Sequence, residues 1–525
     1  MKVLIADKAA KEGIDALKNA GFEVDVKTGL NEQQLIDIIA DYDGMMVRSE
    51  TKVTSKIIDA MKKMKIIGRA GVGVDNIDVN AATKKGIVVV NSPEGNTIAA
   101  AEHTFAMLMS LARNIPQAAA SMKSKKWEKS KFIGTELYGK TLGVVGAGKI
   151  GGRVISYAQA LGMKVAVYDP FITEEYAKKL GVEVRSLDDV IKNADFITFH
   201  IPKNKETLHL INKEKISMMK DGVRLVNVAR GGIIDENDLK EALTSKKVAA
   251  AVLDVFEVEP VADNIFAELD NVITTPHLGA STLEAQVNVA VDVAEQIIEV
   301  LKGGSAKAAV NIPAMRPDLL GPVKPYIPLA AKLGKFAAQL VKGPISEVEI
   351  SYLGDLSAHE VAPLTVAVLK GVFEAALGDS VNMVNATLVA KERGVNVKEV
   401  KSENAENFSS LISVRLCSGK DAKTVAGTVF ESYGERIVKI DDFSTDVLPN
   451  GFMLITSHTD KPGIIGRVGS LLGDANINIA SMDVGRQSIG GKAVMVLSVD
   501  SLISEDMIKK VNKVEGITDT KLVRL

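Results

Sequence analysis

The 525-residue chain has a single cysteine, Cys417, a single tryptophan, Trp127, and an aromatic content of only 4%. One cysteine excludes an intrachain disulfide framework and fits a reducing compartment. With no paired histidines of the H-E-x-x-H type either, no metal centre is expected. Charge of one sign is also lacking: the formal net charge is −2, so neither nucleic acid nor an anionic membrane is an expected partner. The longest apolar helix candidate, 97–112, is interrupted by Glu102 and His103 and is too short to span a bilayer. The chain opens on an apolar strand, VLIA, with no charged-then-apolar leader, and a cytoplasmic location is expected. No G-x-x-x-x-G-K-[ST] and no G-x-S-x-G occurs, so phosphoryl transfer and serine hydrolysis lack their parts. What is present is an ordinary globular composition, 46% hydrophobic and 25% charged. At roughly 150 residues per domain the length suggests three or four domains.

The informative stretch is 141–154, TLGVVGAGKIGGRV. Residues 142–145 are apolar without alternation, which predicts a buried parallel strand. Gly146, Gly148 and Gly151 follow at the spacing G-x-G-x-x-G, with a helix after them. The first glycine permits a tight turn, and the second lets backbone approach a pyrophosphate. The third packs helix on strand, so that helix N–H groups face the anion. A second predicted strand, 163–167, runs into Asp169. An acid there accepts hydrogen bonds from the ribose hydroxyls of NAD and repels the 2′-phosphate of NADP. The combination predicts NAD as cofactor; the alternative is a glycine-rich turn of an ordinary α/β sheet.

Around this motif strands and helices alternate. Strands are predicted at 3–6, 23–27, 44–47, 66–68 and 86–91, with helices at 10–20, 35–40 and 57–62, forming a β/α unit with its own parallel sheet. Two of its strand ends carry arginine: Arg48 beside Ser49, and Arg69 in GRAGVG. Open α/β sheets bind ligands at such ends, and position alone leaves anion binding and surface ion pairing both open. Asn96 reads as a helix cap or a ligand contact. From 98 to 282 a second α/β unit is inserted, with further strands at 196–199, 224–227, 249–253 and 271–274, six in all. Its basic stretch 123–131 reads as solvated surface or, through Lys129, as part of a phosphate pocket. Helix 284–302 returns to the first unit, and a linker carrying Pro313, Pro317, Pro322 and Pro325 follows. Residues 326–445 combine helices 329–341, 361–376 and 381–393 with strands 347–352, 411–417, 424–430 and 436–440, without a catalytic constellation. Residues 452–525 follow a ferredoxin-like βαββαβ order. The predicted fold class is α/β. It comprises two Rossmann-like doubly wound domains, one inserted in the other, then an α+β intervening domain and a ferredoxin-like domain.

Three groups on loops after strands of the inserted unit can do chemistry: Arg230 in VNVARGGIIDE, Glu259 in LDVFEVEP and His277 in TPHLGAST. Hydride transfer between NAD and a 2-hydroxy acid needs a base for the hydroxyl proton, and histidine titrates in the right range. It also needs a cation for the α-carboxylate, which arginine's fork matches. A carboxylate beside the histidine fixes its tautomer. Taken alone, His277 reads equally as a structural histidine.

With these motifs the sequence resembles the D-isomer-specific 2-hydroxyacid dehydrogenases. GRAGVGVDNID, VVGAGKIGGRV, VNVARGGIIDE, LDVFEVEP and PHLGAST stand in the family's order, and the resemblance covers essentially the whole chain. It implies His277 as acid/base, Glu259 as its partner and Arg230 as the substrate clamp. Beside the glycines and Asp169, it implies NAD contacts at Lys149, Ile150, Ala229, Arg230, Asp254, His277 and Gly279. Val72 and Ile201 occupy two further NAD positions where relatives carry threonine, so each removes a hydroxyl contact. The substrate's phosphate and carboxylate fall to Arg48, Ser49, Arg69 and Asn96.

The implied domains are substrate-binding (1–97 and 283–316), NAD-binding (98–282), intervening and allosteric or substrate-related (317–448), and an ACT domain (452–525). ACT domains bind amino acids at a paired-domain interface. In serine-regulated members a histidine and two asparagines hold the effector; here His458 and Asn478 match, and Asp460 replaces the other asparagine. The resemblance thus implies a phosphorylated 2-hydroxy acid as substrate, a homotetramer and L-serine as effector. The reading is hydride transfer to NAD at the entry to L-serine synthesis. Its rivals are a dehydrogenase for another 2-hydroxy acid, such as 2-hydroxyglutarate, and a non-catalytic NAD-sensing protein on the same fold. Arg48 and Arg69 favour the phosphorylated substrate, and the Arg/Glu/His set argues against the sensor.

Overall fold

The computed structural model describes residues 1–312, 321–419 and 421–525. The linker positions Pro313 and Pro317, and the expected boundary between 316 and 317, lie outside the described residues. The chain builds four sheets.

The first contains β1 (Lys2–Ile5), β2 (Glu23–Val26), β3 (Gly44–Val47), β4 (Ile66–Arg69) and β5 (Val88–Asn91), in the order β2-β1-β3-β4-β5. All its pairings are parallel. Val3, Leu4 and Ile5 are inaccessible to solvent, as continuous apolar strands in a parallel sheet should be. The long helix Leu283–Leu301 covers one face, packing Val289, Val293, Ala294 and Ile297 against Val3, Ile5 and Val90.

The second sheet contains β6 (Thr141–Val145), β7 (Lys164–Tyr168), β8 (Glu183–Val184), β9 (Phe196–Phe199), β10 (Val223–Asn227), β11 (Val248–Leu253) and β12 (Val272–Thr274). Its order is β12-β11-β10-β9-β6-β7-β8, wholly parallel. The winding reverses between β6 and β9, the point at which such sheets open a crevice for a nucleotide. The sheet has seven strands where six are expected; the additional β8 is two residues long and exposed, with no apolar pattern to announce it.

The third sheet contains β13 (Glu347–Gly354), β14 (Asn396–Ser402), β15 (Ser410–Ser418), β16 (Asp421–Phe430), β17 (Gly434–Ile440) and β18 (Phe443–Val447), in the order β14-β13-β15-β16-β17-β18. Both edge strands are absent from the sequence reading. In β14, Val397 and Val400 stand three apart, so no alternation shows. The expected helix 381–393 is shorter than its pattern, beginning only at Ala386. Asparagine side chains capture the preceding backbone: Asn385 Oδ1 accepts the Asn382 N–H and Asn382 Oδ1 accepts the Val384 N–H.

The last sheet contains β19 (Phe452–Thr459), β20 (Ile479–Arg486), β21 (Lys492–Val499) and β22 (Ile517–Arg524), in the order β20-β21-β19-β22. Leu454, Met495 and Leu497 face its own helices, whereas Met453, Ile455, Val494, Val496 and Val523 join the core of the third unit. Among the described residues no helix is long and apolar enough to cross a membrane, and no cluster could hold a metal ion.

Candidate active site

The glycine motif forms the loop from β6 into helix Lys149–Ala160. Gly146 has φ +97°, and a Cβ there would stand 2.6 Å from the His200 carbonyl oxygen. A Cβ on Gly151 would stand 2.0 Å from the Gly146 carbonyl, whereas one on Gly148 would meet nothing within 4 Å. Space therefore lies open beside the second glycine. Gly148 is also the helix N-cap, leaving the first-turn N–H groups without a side-chain acceptor. Asp169, just past β7, accepts the Ala147 N–H at 2.8 Å and the Phe171 N–H at 2.9 Å, which pins its carboxylate beside the loop. Open space beside Gly148, helix N–H groups with no side-chain cap and a fixed acid together fit a dinucleotide. Lys149 is ion-paired with Glu94 of the first unit. Ile150, Ile201 and Ala229 are half-buried, as is Val72, whose carbonyl accepts the Asn91 side-chain amide.

A cleft of about 820 Å³ gathers Arg48, Ser49, Arg69, Val72, Asn96, Arg230, Glu259 and His277. His277 Nδ1 lies 2.6 Å from Glu259 Oε2, and Glu259 Oε1 accepts the Phe256 N–H at 2.9 Å. A carboxylate only accepts, so Nδ1 carries the proton and Nε2 is left to receive one. Burial pushes the Glu259 carboxyl up, but the His277 ring and the Phe256 N–H outweigh it, and the group sits below its ordinary value.

His277 has φ 56°, a left-handed conformation that costs a non-glycine residue about 1 kcal/mol or more. Asp254 sustains it. The Asp254 carbonyl accepts the His277 N–H at 2.9 Å, and its carboxylate takes the Thr275 hydroxyl at 2.6 Å and the Leu278 and Gly279 N–H groups at 2.7 and 2.9 Å. Expected as a cofactor contact, Asp254 is fully buried. It holds this loop, and through it Gly279.

The cations differ in their partners. The Arg69 side chain carries a buried Nε with no hydrogen-bond partner, and burial together with the neighbouring Arg230 lowers its pKa to about 10. The Arg48 N–H donates to Asp7 Oδ2, and its Nη1 to the Lys8 carbonyl. Among the described residues neither arginine has a carboxylate ion pair. Arg230 donates from Nε to Asp75 Oδ2 at 3.2 Å and from Nη1 to the Ala229 carbonyl at 2.7 Å. Asn96 Oδ1 and Ser92 Oγ are buried without partners, an arrangement that a polar ligand relieves.

Asp7 escapes the sequence reading, and Asp75 and Asn76 stand in GRAGVGVDNID without an expected role. Asn76 donates to the Arg48 and Thr51 carbonyls and so ties two loops together. Asp7 ends the β1 run VLIAD, and strand-end position was the only signal that could have found it.

Other expected residues lie elsewhere. Lys129 opens an exposed turn beside Trp127, itself 82% exposed, and does not line the cleft. In the last unit His458 is buried with Nδ1 unpartnered, and Asp460 accepts from Arg486. Asn478 donates to Asp500. His458 pairs with Ala493, whereas Ile479, next to Asn478, pairs with Val499 beside Phe452. Asn478 thus stands at the opposite end of the sheet, about 20 Å away at 3.4 Å per strand residue.

Fold and site together define an NAD-dependent dehydrogenase of 2-hydroxy acids. Residues 105–279 match the D-isomer specific 2-hydroxyacid dehydrogenase NAD binding domain, 322–441 the D-3-phosphoglycerate dehydrogenase intervening domain, and 452–516 the ACT domain. The chain is 51% identical over 525 residues to the D-3-phosphoglycerate dehydrogenase of Synechocystis sp., covering all of this chain and 95% of that one. It is 46% identical to that of Bacillus subtilis, covering 100% and 99%. The chain belongs to the D-3-phosphoglycerate dehydrogenase family. Among solved structures, D-lactate dehydrogenase from Aquifex aeolicus, complexed with NAD and lactic acid, is similar over 58% of this chain and 96% of its own, with 31% identity and a TM-score of 0.52.

Proposed function

We propose that the protein oxidises D-3-phosphoglycerate to 3-phosphooxypyruvate with NAD, the first step of L-serine biosynthesis. The observation that carries this reading is the meeting of the His277–Glu259 pair with three guanidinium groups in one cleft. Arg230 holds the α-carboxylate, and Arg48, Ser49, Arg69 and Asn96 take the phosphate and the remaining oxygens. His277 Nε2 accepts the C2 hydroxyl proton while Glu259 steadies the charge that forms on the ring. Bound NAD supplies the acceptor for the C2 hydride. Gly146, Gly148, Gly151, Lys149, Ile150 and Asp169 hold its pyrophosphate and adenosine end, and Val72, Ile201, Ala229 and Gly279 border the other.

A panel of kcat/KM values for D-3-phosphoglycerate, D-lactate and 2-hydroxyglutarate tests the reading. Preference for an unphosphorylated acid removes the substrate assignment, and NAD binding without turnover of any of them leaves a sensor.

The same reading includes the domain limits given above, a cytoplasmic homotetramer and feedback by L-serine. Exposed Trp127, Ile133 and Tyr138 on one segment of the cofactor unit support subunit contacts there. The ACT match, with His458, Asp460 and Asn478, supports the effector. A flat initial rate across an L-serine titration removes it.

A further inference from the structure

We propose that Asp75 is the positioning residue for Arg230, setting the plane of its guanidinium from the opposite wall of the cleft. The inference rests on Arg230 being the carboxylate clamp. Arg230 follows β10 in the cofactor unit, whereas Asp75 lies in the loop after β4 of the first unit. Asp75 Oδ2 takes the Nε hydrogen at 3.2 Å, and the Ala229 carbonyl takes one Nη1 hydrogen at 2.7 Å. Two acceptors at different corners of a rigid planar fork fix its orientation. Both Nη2 hydrogens and the second on Nη1 are left for an end-on grip on a carboxylate.

The loop is shaped for this contact. A Cβ on Gly73 would stand 2.0 Å from Arg230 Nη2 and 2.7 Å from Asp75 Oδ2, so the guanidinium lies directly against glycine backbone. Because its two anchors belong to different units, the clamp takes this pose only while the walls of the cleft are together. The Asp75 side chain is largely exposed, so the ion pair adds little to stability, and its effect is on orientation.

The test compares Asp75→Ala, Asp75→Asn and Gly73→Ala in the full-length enzyme. Asp75→Ala is expected to raise KM for D-3-phosphoglycerate about tenfold, with a smaller change in kcat and with NAD affinity and Tm unchanged. Asp75→Asn retains an acceptor oxygen for Nε and should stay within about threefold of the parent. Gly73→Ala, whose methyl group would collide with both Arg230 Nη2 and Asp75 Oδ2, should reproduce the rise in KM.

In an Arg230→Met background, Asp75→Ala should no longer change the Kd of D-3-phosphoglycerate for the enzyme–NADH complex. An unchanged or lowered KM in Asp75→Ala overturns the inference, as does an undiminished effect in the Arg230→Met background. If Arg230→Met alone leaves that Kd unchanged, the clamp assignment itself has failed, a result distinct from failure at Asp75.

Discussion

His277, the proposed proton acceptor, sits in an unfavourable backbone conformation, held there by Asp254, which does not line the cleft. Replacing the ring by alanine removes the proton acceptor and leaves the glycine loop and Asp169 in place. His277→Ala is therefore expected to lose turnover while NAD titrates normally, and near-parental NADH production would refute the assignment. Glu259→Gln should lower kcat about 10- to 100-fold at little change in KM, since it acts through the ring. Asp254 carries a pH signature. Burial raises its carboxyl, but His103, the Thr275 hydroxyl and the Leu278 N–H outweigh it, and the group sits below its ordinary value. Stability from such a group is present above the ordinary carboxylate pKa and is lost as pH falls through the lowered one. The Tm gap between the parent and Asp254→Asn should be widest near neutrality and close toward pH 3. A gap independent of pH would dismiss the ionised carboxylate as the source.

At the scale of elements, the glycine loop and the acid after β7 work as one piece, because Asp169 accepts the loop's own Ala147 N–H. Asp169→Ala should accordingly do two things in a comparison of kcat/KM: lower the value for NAD and raise that for NADP. Unchanged discrimination between them would remove the role. Elements of this kind were legible because buried parallel strands are unbroken apolar runs. Strands β8, β14 and β18 were less so: β8 is two exposed residues, β14 does not alternate, and β18 is short, with only Val447 buried and Phe443 half-buried against the core. The pair His277–Glu259 could be anticipated because both residues follow strands of one sheet. Asp75 could not, because its partner lies 155 residues away in another unit, and no local pattern records such a meeting.

The whole molecule is joined by contacts of the same long-range sort. Asn382 of the third unit donates to the Gly86 carbonyl at 2.9 Å, and Val384 enters the core of the first sheet unit. The third and last units go further and share one core across Met453, Ile455, Val494 and Val496. Calorimetry should find them melting in a single transition. Val496→Ala, by opening a cavity at their junction, should lower that transition at a cost of about 1 kcal/mol or more. Separate transitions for the two units would contradict the shared core.

The two ends of the β19–β21 pair carry a final consequence. On the effector reading proposed above, His458 and Asp460 at one end and Asn478 at the other cannot close on one ligand within a single copy, so the site would be completed only by a second copy. Inhibition by L-serine, as proposed, would then depend on protein concentration as well as on effector concentration. Dilution into the dissociating range would abolish the response with every liganding residue still in place, and the apparent inhibition constant would rise as enzyme is withdrawn from the assay.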